Sequence, residues 1–307
     1  MTPQSRQYIE TVLEFVQEEF LHTNEVNWPD VRSQIFEMAR DAETSGDTYP
    51  ALEWLADHLN SFLYMPHSFF IRLSTGPWDS VPDAVAPRGQ RLAHQIGYVW
   101  LPELAGQNVA GNRPYADVLQ EVIAQIDLEP TRGWIVDLRE NGGGNCWPML
   151  AGIASILGQG ECGAFVNSAG ARFPWTIENG SYLINGNLLS SVSEPAYILQ
   201  KPNPPVAVLL GPNTASSGEV VAVAFTGRKS SRSFGAKTSG FSTSNEPKVL
   251  EDEAWFNLTT TNIADRTGRT YGGPLEPDET VADGWNLLEP EKDACVQRAM
   301  DWLKSQP

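Results

Sequence analysis

"PVAVLLGPNTASSGEVVAVAF", residues 205 to 225, decides the architecture. An apolar run of strand length meets a turn of small and polar residues, and a second apolar run follows at once. The order reads as strand, tight turn, helix. Ser216 falls at the last turn position and Ser217 at the next. Glu219 lies in the first helical turn, where the helix dipole favours a carboxylate. Read alone, one serine as an N-cap accounts for the pattern. The spacing is not that of a G-x-S-x-G nucleophile elbow.

The same plan occurs upstream. "GWIVDLR" (133–139) is a short apolar strand with a polar end, "ENGGGN" (140–145) a glycine turn, and "WPMLAGIASILG" (147–158) a helix. Gly142, Gly143 and Gly144 allow a sharp turn and leave backbone N–H groups bare. A loop of this kind that opens a helix makes an anion hole; a plain tight turn fits the glycines equally. Neither the G-x-G-x-x-G spacing nor a Lys-Ser/Thr pair is present, which excludes a dinucleotide fingerprint and a P-loop.

Working outward, "IGYVWLPEL" (96–104), "SRSFGAKT" (231–238) and "AWFNLTTTNIAD" (254–265) read as strands. "YADVLQEVIAQID" (115–127) and "EKDACVQRAMDWLK" (291–304) read as helices. Strand–helix alternation predicts an α/β core. The first sixty residues differ: apolar periodicity predicts helices over 7–21, 30–42 with Asp30 as N-cap, and 48–60. We therefore expect a helical region over 1–74, ending in the strand that carries His67. A connecting loop with Pro77, Pro82 and Pro87 is expected over 75–93, and the α/β core over 94–307.

The 307 residues are 41% hydrophobic, enough for a substantial core, and carry a formal charge of −17. Such a surface repels phosphate backbones and anionic lipid, so neither nucleic acid nor membrane is expected as a partner. The N-terminus lacks the basic and apolar regions of a signal peptide, and no run approaches a membrane span. Cys146, Cys162 and Cys295 have no metal-binding spacing and read as free thiols. A soluble cytoplasmic protein without cofactor or metal is the expectation.

Three motifs taken in order, "DLRENGGG", "NTASSGEVVA" and "GAKTSGFST", resemble the S41 serine peptidases, the family of tail-specific and C-terminal processing proteases. The resemblance spans roughly residues 50–285. It implies a ClpP/crotonase-like core of spiral ββα units beneath an N-terminal helical cap. It also implies Ser216 as nucleophile, with the amides of Gly144 and Ser217, and Gly143 as a third candidate, as the oxyanion hole. Ser-Lys members carry a lysine where this chain has Phe241; Lys237 falls four residues early. The tricorn-like branch instead takes a histidine upstream, and "YMPHSFFI" puts His67 at that place. Histidine can accept a serine proton at neutral pH. His22 and His58 are expected on solvent faces of helices, and His94 has no motif around it.

That branch orients its histidine through a preceding serine and a distal carboxylate. Pro66 replaces the serine, and Asp265 and Glu276 are the candidates for the carboxylate. Arg139 with Asp137 reads either as a site for a substrate carboxylate or as an ion pair that holds the glycine turn; Trp100 reads as packing. Many family members insert a PDZ domain, for which the 29 residues between His67 and Gly97 leave no room. The resemblance implies a serine peptidase acting on a peptide or protein. Two alternatives remain at this point. One is an inactive module that binds a hydrophobic ligand or peptide, as in interphotoreceptor retinoid-binding protein. The other is a crotonase-like acyl-CoA enzyme, against which stands the lack of a basic patch for the CoA phosphates.

Overall fold

A computed structural model describes residues 1–72, 84–193, 195–281 and 283–307. The chain forms two compact units. One comprises Met1–Ser80, Phe165–Arg172 and Thr243–Asn262; the other comprises Val81–Ala164, Phe173–Ser242 and Ile263–Pro307. The helical region expected over 1–74 thus takes in two later pieces of chain, and the core expected over 94–307 gives them up.

In the first unit, the helix Pro3–Glu19 starts where Thr2 Oγ1 accepts the Ser5 N–H at 3.2 Å and proline occupies the first turn. Its stripe Ile9, Val12, Leu13 and Val16 is wholly buried. Each such side chain stabilises by about 1.5–3 kcal/mol on burial. The second helix is Trp28–Met38, and Asn27, not Asp30, is its N-cap residue. Trp28 and Pro29 open the helix because proline at the first turn sacrifices only an N–H that has no intrahelical partner. The third is Tyr49–Asn60. Their apolar faces share a core with Phe256 and Leu258 of the strand Trp255–Asp265. That strand pairs antiparallel with Phe69–Ile71 and with Thr243–Val249. The strand expected to carry His67 therefore begins only after it, at Phe69.

The second unit is built on a six-stranded sheet. In sheet order its strands are Glu279–Thr280, Ser231–Gly235, Val206–Leu210, Gly133–Asp137, Ile96–Trp100 and Arg88–Leu92, and only the last pair is antiparallel. The strand Arg88–Leu92 replaces the end of the expected proline-rich loop, whose residues up to 83 lie outside the described ones. The helix Ala294–Ser305 covers one face of the sheet through Val296, Ala299 and Leu303. The helices Tyr115–Ile126, Cys146–Gly152 and Ser217–Phe225 pack in sequence against one another. A feature absent from the sequence reading is the meander Arg172–Glu178, Ser181–Ile184 and Asn187–Ser191.

Sheet order explains why the two turns meet. Gly133–Asp137 and Val206–Leu210 are parallel neighbours, with Val206 opposite Trp134 and Leu209 opposite Asp137. Both turns therefore leave the sheet side by side at the carboxyl ends of their strands, the usual place for a site in such a sheet.

Candidate active site

Ser216 ends the second turn with φ 49° and ψ −116°. Few side-chain-bearing residues adopt this conformation, and holding one there costs on the order of 1–3 kcal/mol. The surroundings that impose it are specific. Glu219, fully buried, accepts the Ser216 backbone N–H through Oε2 at 3.0 Å. Its Oε1 accepts the Thr238 hydroxyl at 2.5 Å and the Gly240 N–H at 3.0 Å. Burial pushes the Glu219 carboxyl up to about 7, against the downward pull of those donors. The first-turn acid is therefore more than a dipole partner: it fixes the serine backbone and the segment 238–240 together.

Asn141, also buried, joins the two turns. Its carbonyl oxygen accepts the Ala215 N–H at 2.9 Å, and its Oδ1 accepts the Gly143 N–H at 3.0 Å. Its Nδ2 donates to the Leu101 carbonyl at 3.1 Å. A second clasp runs from the Ser217 hydroxyl to the Gly144 carbonyl at 2.6 Å. Gly143 has φ +112°, and a Cβ on it would lie 2.8 Å from Ser216 Cβ, so only glycine fits beside the serine. On Gly144, with φ +97°, a Cβ would come within 2.0 Å of the Leu104 carbonyl oxygen.

This bonding sorts the three expected oxyanion donors. The Gly143 N–H is already engaged by Asn141 and drops out. The N–H groups of Gly144 and Ser217 make no backbone hydrogen bond among the described residues. Cys146, behind the glycine turn, is buried, which drives its thiol up to about 12 and leaves it uncharged.

In the first unit, His67 is held by its backbone and its ring. Asn60 Oδ1 accepts the N–H groups of His67 and Ser68 at 3.0 and 2.9 Å, and Asn245 Nδ2 donates to the His67 carbonyl at 2.9 Å. Nδ1 lies 2.7 Å from Thr243 Oγ1. The partner of the His67 ring is thus a threonine hydroxyl on a strand 176 residues away, and neither Asp265 nor Glu276, the carboxylates expected after Pro66 replaced the family's serine. Burial pulls the imidazole down to about 4, so it stays neutral at ordinary pH.

The two candidate carboxylates are spent elsewhere. Asp265 accepts from the N–H and hydroxyl of Thr267 through Oδ1 and from the Tyr271 hydroxyl through Oδ2. Burial works upward on it, but these donors hold its carboxyl below the ordinary range. Glu276 is exposed and pairs with Lys237 at 2.9 Å, which accounts for both that acid and the stray lysine. Arg139 is the buried ion pair and not a substrate-binding cation. It is wholly enclosed, donates through Nη2 to Asp137 at 2.6 Å and through Nη1 to Asp293 at 2.8 Å, and lies over Trp285. Burial lowers its affinity for the proton, but the two carboxylates more than reverse that, so it stays charged. Tyr98 completes the cluster through its hydroxyl on Asp137 Oδ2. Trp100 packs under the Arg88 guanidinium. Of the other histidines, His22 pairs with Glu25, His58 stacks on Trp54, and His94 is exposed.

Asn141 and Thr243 went unassigned in the sequence. Asn141 stood in plain view beside the glycines, but nothing local distinguishes a buried scaffold amide from a turn asparagine. Thr243 is separated from His67 by most of the chain, and only strand pairing brings it near.

Comparison with known proteins fits this arrangement. A nisin-resistance protein of Lactococcus lactis subsp. lactis is 25% identical over 305 residues, covering 99% of this chain and 88% of that protein. A lipoprotein from Streptococcus agalactiae superposes with a TM-score of 0.77 at 23% identity over 99% of this chain and 98% of that one. The photosystem II D1 C-terminal processing protease superposes at 0.66, with 15% identity over 97% and 98% of the two chains. These structural likenesses show a shared α/β fold. Residues 95–281 match the model of peptidase family S41, which takes in the glycine turn, the serine turn and the segment after it. The chain therefore belongs to peptidase family S41.

Proposed function

We propose that the protein cleaves peptide bonds with Ser216 as nucleophile and His67 as its base. The observation that carries this reading is the strained Ser216 backbone, held beside two N–H groups that make no backbone bond among the described residues. With Nδ1–H donating to Thr243 Oγ1, the His67 lone pair lies on Nε2, in the tautomer a general base needs. Ser216 Oγ would attack the carbonyl carbon while His67 Nε2 takes its proton. The amides of Gly144 and Ser217 would hold the developing oxyanion, at about 3 kcal/mol per donor in comparable sites. His67 would then protonate the leaving amine, and water would clear the acyl-enzyme with the roles reversed. A base with a pKa near 4 is weak, but it is unprotonated across the physiological range. Kinship with a nisin-resistance protein makes nisin the first substrate to try.

The test is a serine-reactive phosphonate followed by intact-mass measurement. One adduct is expected, absent in Ser216→Ala and slowed in His67→Ala. An unlabelled, fully folded protein would overturn the peptidase reading and leave the ligand-binding module in its place. Nisin fragments released by the native protein and not by Ser216→Ala would establish the substrate.

A further inference from the structure

The second unit has a cavity of about 280 Å³ whose lining includes no residue of the serine turn. Leu210, Ala222 and Phe225 form part of its apolar wall, and Arg228, Arg232 and Arg269 are its cationic lining. Three arginines converging on one small cavity stand out in a chain of net charge −17.

Their partners differ. Arg232 pairs with Glu279 at 3.0 Å. Arg228 is buried and gives its hydrogen bonds to neutral oxygens: Nε to the Leu157 carbonyl, Nη2 to Ile156, and Nη1 to Lys229 and Ser231 Oγ. Arg269 is exposed and stacks on Tyr271 at 5.0 Å. Among the described residues neither Arg228 nor Arg269 has an acidic partner within ion-pair distance. The two acids in the wall do not supply one. Asp278 Oδ2 accepts the N–H and hydroxyl of Ser233, and Glu276 is neutralised by Lys237. Burial and the nearby Arg266 pull Arg228 down to about 10, the mark of a cation without a counter-charge.

We propose that this cavity is a second binding site, which takes a carboxylate bearing a compact apolar group. A guanidinium that is desolvated without an anion gains most from one, since charge-assisted bonds are roughly twice as strong as neutral ones. The volume admits about one amino-acid residue, with the side chain against Leu210 and Phe225 and the carboxylate toward Arg228 and Arg269. The end of a peptide and a short fatty acid share this chemistry. The site does not depend on the peptidase reading, because it requires no chemistry at Ser216.

Methyl-resolved NMR of the full chain tests it. N-acetyl-L-leucine and octanoate are the probes, and N-acetyl-L-leucinamide is the control. Saturable shifts of the Leu210, Ala222 and Leu275 methyls are expected with the carboxylates and not with the amide. Tighter binding of N-acetyl-leucine than of octanoate would identify a peptide end as the ligand, and the reverse order a fatty acid. Arg269→Gln, a surface change that leaves the fold intact, should weaken binding about tenfold or more; Arg228→Met removes a buried scaffold group and is the less informative variant. Equal shifts with acid and amide, no shift at these methyls, or unchanged affinity in Arg269→Gln would each overturn the proposal. Shifts that survive phosphonate labelling of Ser216 separate this site from the serine.

Discussion

Replacing Ser216 by glycine and by alanine should give two inactive proteins of different stability. Both changes remove the hydroxyl, so its loss cancels in the comparison. Alanine keeps a Cβ at φ 49° and ψ −116°, a conformation worth on the order of 1–3 kcal/mol of strain. Glycine has no such penalty but loses roughly 0.5–1 kcal/mol through the greater freedom of its unfolded chain. The glycine variant should therefore be the more stable by about 1–2 kcal/mol. At a urea slope of roughly 3 kcal/mol/M, that separates the unfolding midpoints by about 0.5 M. The restraint can be located as well. Glu219 Oε2 holds the Ser216 N–H, so in a Glu219→Gln background the turn relaxes and the gap between the two variants should narrow. Coincident midpoints, or alanine above glycine, would refute the claim that the surroundings impose strain at Ser216.

Other outcomes follow from the same contacts. Ser217→Ala removes the hydroxyl that bonds the exposed Gly144 carbonyl and should destabilise by about 0.5–1.5 kcal/mol, while phosphonate still labels Ser216, by mass. Thr243→Val deprives His67 Nδ1 of its partner and should slow labelling about 10- to 100-fold, with Thr243→Ser restoring most of the rate. His67 has its folded pKa lowered to about 4 from an ordinary 6.5, so its stabilising contribution is complete above about pH 6.5 and disappears as pH falls through about 4. In His67→Gln the acid side of the stability–pH curve should lose a step on the order of 3 kcal/mol. Asp293→Ala leaves Arg139 with one carboxylate and should cost about 3–5 kcal/mol by denaturant unfolding.

The strand–turn–helix units around Gly142–Gly144 and Ser216 were legible because they are continuous in sequence and marked by glycine and small residues. Their alternation accounts for the four central strands of the sheet that aligns them, and the outer strands Arg88–Leu92 and Glu279–Thr280 lie outside that pattern. The meander at 172–191 has its sequence signal in its turns. "ENGS" and "INGN" are two-residue hairpins in which Asn179, Gly180, Asn185 and Gly186 all have positive φ, as Asn-Gly turns require. Their strands lack clean apolar–polar alternation, and in Arg172–Glu178 only Trp175 and Ile177 are buried. At the candidate site, Ser216 and the Gly144 and Ser217 amides belong to marked local turns, which is why the sequence points to them. Thr243, the partner of the His67 ring, carries no local mark, because it reaches His67 through strand pairing. The choice between roles for Arg139 was likewise undecidable until Asp293 closed on it from the last helix.

The Arg139–Asp293 contact also imposes an order on the protein's birth. The two residues are 154 positions apart. At a synthesis rate of about 5–20 residues per second, that separation amounts to roughly 8–30 s. During that interval the strand with Arg139 has left the ribosome, yet the guanidinium has only Asp137 beside it and no helix to cover it. The cluster of Arg139, Asp137 and Asp293 cannot close until residue 293 arrives. The nascent chain thus holds Arg139 half-matched until Asp293 and the helix behind it have been made, so this cluster of the second unit closes late.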